Sequence, residues 1–227
     1  MKKEHLPDLK KILPAVPGIH GRKEYSNSVV MILLAEIEDE YHFVFQIRSQ
    51  KISQGGEIGF PGGKYDEKTD ISPRQTALRE TSEEMGVVEK NLEIIGQLDT
   101  LIAPMGAVIE IFIGICHDEV SGLEFNPDEV EEIFTMPVSY FENMEPEKHK
   151  VLIKTFSSEI DPETSEKIVY FPVRELGISE LYLDSWGNFI QNIYAFKTSR
   201  GTIWGITARI ILDFLRVLKQ SYELNEQ

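Results

Sequence analysis

Residues 62–87 read GGKYDEKTDISPRQTALRETSEEMGV, and the second half of this stretch carries a full set of helix signals. Ser72 suits the N-cap, Pro73 suits the first helical position, Gln75 completes a capping box, and Gly86 suits the C-terminal cap, so the helix is placed at Pro73–Met85. At about 100° per residue, Glu80, Glu83 and Glu84 fall within an arc of about 100°, and Ala77, Leu78, Thr81 and Met85 occupy the neighbouring arc. Three carboxylates therefore converge beside a face that packs inward. Like charges at these spacings repel by about a few tenths of a kcal/mol on an open helix, and by more when partly buried. Such a cluster favours a cation, and hard oxygen donors on a rigid element suit Mg²⁺ or Mn²⁺.

Immediately upstream, Gln54 to Asp70 reads QGGEIGFPGGKYDEKTD, dense in glycine and charge, which is expected to be a loop whose backbone approaches something closely. Three glutamates on an arbitrary helix commonly form a solvated acidic face. Here the adjoining glycines tip the reading, because together they offer carboxylates, backbone carbonyls and room for a phosphate.

Working outward, Ser28 to Ile37 and Tyr41 to Ile47 are rich in Val, Ile, Leu and Phe around the acidic turn Glu38–Glu40, the pattern of a strand pair. Leu92 to Ala103 and Ala107 to His117 are expected strands, the second nearly continuous in apolar residues and so central. NPDEVEEIFTMPVSYFENM reads as a loop, a short strand and a helical turn. Lys148 to Arg174 suggests a hairpin across the turn DPETSE, and Ile203 to Lys219 a final helix that packs into the core. With no repeat, low-complexity tract or linker, residues 1–227 are expected to form one domain, with a core at about 27–145 and an extension with the packing helix at about 146–222.

The composition, 41% hydrophobic and 27% charged, is that of an ordinary globular protein. A net charge of -15 disfavours long nucleic acids, while a bound divalent cation could invert the local field for a small anion. The first 18 residues lack an apolar stretch of signal-peptide length, and no run of ~18 apolar residues occurs, so no membrane partner and a cytoplasmic location are expected. The single cysteine, Cys116, is expected to be a small core residue. Scattered histidines give no zinc-ligand spacing, and Phe60 and Trp204 read as packing residues rather than stacking platforms. The sequence leaves the oligomeric state open.

The stretch GGKYDEKTDISPRQTALRETSEEMGV resembles the Nudix box, GX5EX7REUXEEXGU, where U is aliphatic. Arg79 to Val87 fits at nearly every fixed place, with Thr81 where an aliphatic residue is usual. Counting back from Arg79 puts Tyr65 and Ile71 at the glycine and glutamate places; a loop two residues longer restores Gly63, and Asp70 or Glu67 replaces the glutamate. Upstream, QIRSQKISQGGEIGFPGGK resembles the signature of the coenzyme A pyrophosphatase branch through Arg48, Ser49, Gly56, Phe60, Pro61, Gly62 and Gly63. Its Arg48 to Gly56 spacing is one residue short, and Lys51 is the nearest substitute for a usual arginine. TMPVSYF and IWGITARII extend the likeness to roughly residues 27–218.

The resemblance implies an α/β fold, an α/β/α sandwich around a mixed sheet, and a Mg²⁺ or Mn²⁺ dependent pyrophosphohydrolase. It implies Glu80, Glu83, Glu84 and the Gly63 carbonyl at the metals, with Glu80 and Glu84 as direct ligands, and Arg79 holding a loop acid in a bidentate pair. Glu129 or Glu132, in the acidic run PDEVEE, is the expected general base. Gly62 and Gly63 would lie against substrate, and Arg48, Lys51 or Lys64 would meet the 3′-phosphate of coenzyme A, whose cleavage yields 4′-phosphopantetheine and 3′,5′-ADP. ADP-ribose or another nucleotide is the alternative substrate, and a non-catalytic ligand-binding module the alternative class.

Overall fold

The apolar runs on either side of the acidic turn form the expected strand pair in the computed structural model, which describes residues 6–225. In chain order its elements begin with helix α1 (Leu6–Ile12), β1 (Ser26–Ile37), β2 (Glu40–Arg48), β3 (Ile58–Gly59), β4 (Gly62–Lys64) and helix α2 (Pro73–Met85). They continue through β5 (Leu92–Gln97), β6 (Leu101–Ala103), β7 (Ala107–Cys116), β8 (Val130–Pro137), α3 (Val138–Glu142), β9 (Glu147–Thr155), β10 (Ser158–Ile160) and β11 (Lys167–Val169). The last are β12 (Trp186–Thr198), β13 (Gly201–Trp204) and α4 (Gly205–Asn225). Glu38 and Asp39 take φ of 52° and 65°, the left-handed pair that a tight hairpin turn requires.

The chain divides into two compact units. The first, residues 1–56 and 60–136, holds a mixed sheet. In it β1 runs parallel to β7 from Ser26↔Ala107 to Ala35↔Cys116, while β2 and β4 pair antiparallel with β1, and β5 and β6 antiparallel with β7. β8 lies on β2. β7 lies inside the sheet, as its nearly continuous apolar pattern implies. Helix α2 sets Ala77 and Met85 against Val29, Met31, Leu33, Phe112 and Cys116, so the lone cysteine is a core residue. Phe43, Phe45, Phe60 and Phe134 form a second cluster, with the Phe45 and Phe60 rings stacked 4.8 Å apart.

Two expectations change in this unit. The glycine-rich segment is not a continuous loop: Gly62, Gly63 and Lys64 form β4, held by pairing with Val30, Val29 and Ser28. The expected strand Leu92 to Ala103 is two strands, β5 and β6, and the register of β5 shifts between Ile94 and Gly96. Glu110 on β7 is a buried carboxylate inside an apolar run; Arg22, Gln97 and Thr100 donate to it.

In the second unit, residues 57–59 and 137–227, the turn Asp161–Glu166 closes the β10–β11 hairpin as expected. β9 instead pairs with the distant β12, which also pairs with β13. Helix α4 buries Ala208, Ile210, Ile211 and Phe214, and Phe141 meets Phe196 edge to face. Ile203, expected in this helix, belongs to β13, and Trp204 is half exposed. Among the described residues, no helix is long and apolar enough to cross a membrane.

Candidate active site

Helix α2 occupies the residues its caps dictate. Ser72 Oγ accepts from the Gln75 N–H at 3.2 Å, and Gly86 ends the helix at φ 73°. A side chain at Gly86 would collide with the Glu124 carbonyl, its Cβ 2.2 Å from that oxygen. Thr81, standing where an aliphatic residue is usual, is fully buried because its hydroxyl donates to the Ala77 carbonyl at 2.7 Å. The hydroxyl is thus satisfied within the helix, and the side chain packs as an apolar one would.

The three box glutamates differ sharply in environment. Glu84 is 5% exposed, and its Oε2 accepts from the Gly62 N–H at 2.9 Å and the Gln46 side-chain amide at 3.0 Å. Burial pushes its carboxyl up to about 7 despite those two donors and the nearby charge of Arg48. Glu80 lies against the glycine strand: a Cβ on Gly63 would fall 2.2 Å from the Glu80 Cδ. Burial also raises the proton affinity of Glu80; Arg79 offsets part of this, and the charges of Glu83 and Glu129 add to it. Glu83 is 55% exposed at its side chain and turns to Arg79, 2.9 Å away. Helical spacing alone grouped Glu83 with the other two, whereas its ion pair draws it toward the guanidinium.

Arg79 sits at a junction of three carboxylates, Glu80 at 2.8 Å, Glu83 at 2.9 Å and Asp70 at 3.3 Å. Its contact with Asp70 runs through one nitrogen rather than a two-pronged fork. The loop acid it meets is Asp70; Glu67 lies nearest Lys23 at 3.9 Å, and Ile71, which falls on the pattern's glutamate place, is 86% exposed. The Asp66 N–H holds Asp70 below the ordinary carboxylate range, and Arg79 lowers it further.

Glu129 and Glu132 separate as well. The loop before β8 is fastened to the end of α2, where the Asn126 N–H donates to the Glu84 carbonyl at 3.1 Å, and to the residue after β2, where the Ser49 N–H donates to the Glu129 carbonyl at 2.9 Å. Glu129 is thereby held within electrostatic reach of Glu80. Glu132 lies two residues into β8 and is exposed. Of the expected substrate cations, Lys51 is engaged with Asp128 at 2.6 Å and exposed, Arg48 donates to the Ser53 carbonyl at 3.2 Å, and Lys64 is an exposed residue of β4.

The donor set fits a hard divalent cation. Glu80 and Glu84 stand one helical turn apart, both shielded from water, both with proton affinity raised by burial, beside a strand with no side chain at Gly63. Among the described residues no three His, Cys, Asp or Glu side chains form a metal cage. Two carboxylates with open positions suit Mg²⁺ or Mn²⁺, which keep waters and take phosphate oxygens, better than a closed all-protein site would. Gln46 escaped the sequence reading; its signal is a lone amide in the apolar run Phe43–Ile47.

A family comparison extends beyond the box. The family model of the NUDIX domain matches residues 25–156, more than half of the chain. This chain belongs to the Nudix family. Its mixed sheet and packed helix α2 are the α/β Nudix fold, and Nudix hydrolases generally use divalent metal ions. The Nudix chain is 35% identical over 115 residues to the peroxisomal coenzyme A diphosphatase NUDT7 of Mus musculus, covering 50% of this chain and 48% of that protein. It is 29% identical over 122 residues to the mitochondrial coenzyme A diphosphatase NUDT8 of Homo sapiens, covering 52% and 51%. Among solved structures, the M. Smegmatis Nudix hydrolase RenU aligns at TM-score 0.43 and 18% identity, covering 52% of this chain and 74% of that one. The chain spans about half the length of the curated relatives it matches.

Proposed function

We propose that this Nudix chain is a pyrophosphohydrolase of nucleoside diphosphate derivatives and that coenzyme A or an acyl-coenzyme A is its substrate, cleaved to 4′-phosphopantetheine and 3′,5′-ADP. The observation that carries the reading is the shielded Glu80–Glu84 pair against the Gly62–Gly63 strand. Likeness to two coenzyme A diphosphatases supports the substrate.

In this proposal Glu80, Glu84 and the Gly63 carbonyl hold Mg²⁺ or Mn²⁺, and Glu83 contributes charge from the rim. When bound, the ions neutralise the bridging phosphates and lower the pKa of a coordinated water. Arg79 fixes the Glu80 carboxylate from one side and Asp70 from the other, which orients the donors before substrate arrives. Gly62 and Gly63 allow a diphosphate to approach the backbone. Glu129, held near Glu80 by the Asn126 and Ser49 contacts, is the general base that accepts the proton of the attacking water; Glu132 is the weaker candidate. Arg48, whose charge already reaches Glu84, meets the substrate's phosphates, and Lys51 does so only by leaving Asp128. Cytoplasmic location is part of the same proposal, tested by cell fractionation.

The test is a panel of coenzyme A, an acyl-coenzyme A, ADP-ribose and nucleotide sugars, assayed with Mg²⁺ or Mn²⁺ and scored by product identity. The proposal expects 3′,5′-ADP from coenzyme A at the highest kcat/KM. Preference for ADP-ribose would move the substrate, and binding without products would make the chain a ligand-binding module.

A further inference from the structure

Gln46 has no part in the mechanism above, although it is 1% exposed in the middle of β2 between Phe45 and Ile47. Its amide nitrogen donates to Glu84 Oε2 at 3.0 Å. Its own carbonyl oxygen is buried and finds no hydrogen-bond partner among the described residues. An unsatisfied buried acceptor is destabilising, because it gives up the hydrogen bonds it makes to water in the unfolded chain. A leucine would fill this strand position without that cost, so packing gives no reason for an amide here.

The reason lies at the other end of the contact. Gly62 N–H and the Gln46 amide both donate to the same carboxylate oxygen, Oε2, at 2.9 and 3.0 Å. One donor comes from the glycine strand and the other from β2, so the carboxyl plane is pinned from two independent elements. Neither bond occupies Oε1. A carboxylate buried in this way has few other partners to compete for its orientation, because Arg79 is engaged with Asp70, Glu80 and Glu83.

We propose that Gln46 is a positioning residue for metal binding, an amide that locks the Glu84 carboxylate by Oε2 so that Oε1 is presented to the divalent cation. The inference rests on the proposed function, in which Glu84 is a metal ligand. Outer partners that orient a ligating carboxylate typically change metal affinity or activity by about 10–100-fold when removed.

The experiment is titration calorimetry of Mn²⁺ into the full chain as wild type, Gln46→Leu and Glu84→Gln, with kcat and KM for coenzyme A measured on the same preparations. The expected result is about a tenfold or greater loss of Mn²⁺ affinity in Gln46→Leu, a matching fall in kcat at saturating metal, and a KM within about threefold of wild type. A residue that served only to fill the strand would leave Mn²⁺ affinity unchanged. Wild-type Mn²⁺ binding by Gln46→Leu, with binding lost in Glu84→Gln, overturns the role of Gln46 and leaves the metal helix standing. Retained binding in Glu84→Gln overturns both. If Gln46→Leu does not fold, Gln46→Asn keeps the amide but withdraws it by one methylene, and the same losses are expected.

Discussion

Arg79 reaches back nine residues along the chain to Asp70, whose side chain is 6% exposed, and one guanidinium nitrogen lies 3.3 Å from its carboxylate. The contact ties the end of the loop before α2 to the middle of that helix and leaves the same guanidinium touching Glu80.

Asp70→Asn is expected to reduce stability at pH 7 by about 1 kcal/mol, since Arg79 is partly exposed and the pair is screened accordingly. The folded-state pKa of Asp70 lies below its ordinary 3.8, so its stabilisation is present above that pH and is lost as pH falls through the lower folded value. The melting temperatures of wild type and variant should therefore converge below pH 3.8. A gap that persists in acid would show that the carboxylate charge is not what stabilises the loop.

The two neighbouring glycines should fail in different ways. An alanine Cβ at Gly62 would lie 2.2 Å from the backbone oxygen of Val29, whereas one at Gly63 would lie 2.2 Å from the side-chain Cδ of Glu80. Backbone in the sheet cannot yield, but a side chain can swing away. Gly62→Ala is expected to lose about 1–3 kcal/mol of stability. Gly63→Ala should keep most of its stability and lose about 100-fold in turnover, because Glu80 is displaced. Denaturant melts and kcat on the same samples separate the two; equal loss of stability would contradict the assignment.

How far these distinctions can be read from sequence depends on which forces are local. The ends of α2 were legible because Ser72, Pro73 and Gly86 act within one turn of the residues they cap. The strand pair around Glu38 and Asp39 was legible for the same reason. β4 was not, since glycine disfavours strands and only pairing with β1 holds Gly62 to Lys64 extended. The β9–β12 pairing was hidden because its partners are more than thirty residues apart in sequence. At the site, helical spacing grouped Glu80, Glu83 and Glu84 but could not rank them; that ranking comes from Gly62, Gln46 and Arg79, which lie on three different elements.

Glu84 carries the clearest pH signature. Burial raises its carboxyl from an ordinary 4.5 to about 7, so between those values the folded state holds a proton that the unfolded state has lost. Metal-free wild type should therefore lose stability as pH rises from about 4.5 to about 7. Glu84→Gln removes this dependence and is expected to be more stable than metal-free wild type at pH 8 by on the order of 2 kcal/mol, while turnover falls about 100-fold or more. Calorimetric melts at pH 5 and pH 8 check the sign. A variant less stable than wild type at the higher pH would show that the carboxylate is not strained by burial.

Glu129→Gln should lower kcat by about 100-fold with little change in KM, and Glu132→Gln by less than about threefold. The contrast follows from position, since the charge of Glu129 reaches Glu80, whereas Glu132 is an exposed residue of β8. Steady-state kinetics with coenzyme A on wild type and both variants would read it. Loss of activity in Glu132→Gln alone would reverse the two roles.

The central claim is that Glu80 and Glu84 grip divalent cations against the Gly63 backbone. Anomalous diffraction from crystals soaked in manganese tests it most directly. The account predicts an anomalous peak within coordination distance of both carboxylates and the Gly63 carbonyl. Manganese bound elsewhere, with Glu80 and Glu84 contacting only protein or solvent, would contradict it.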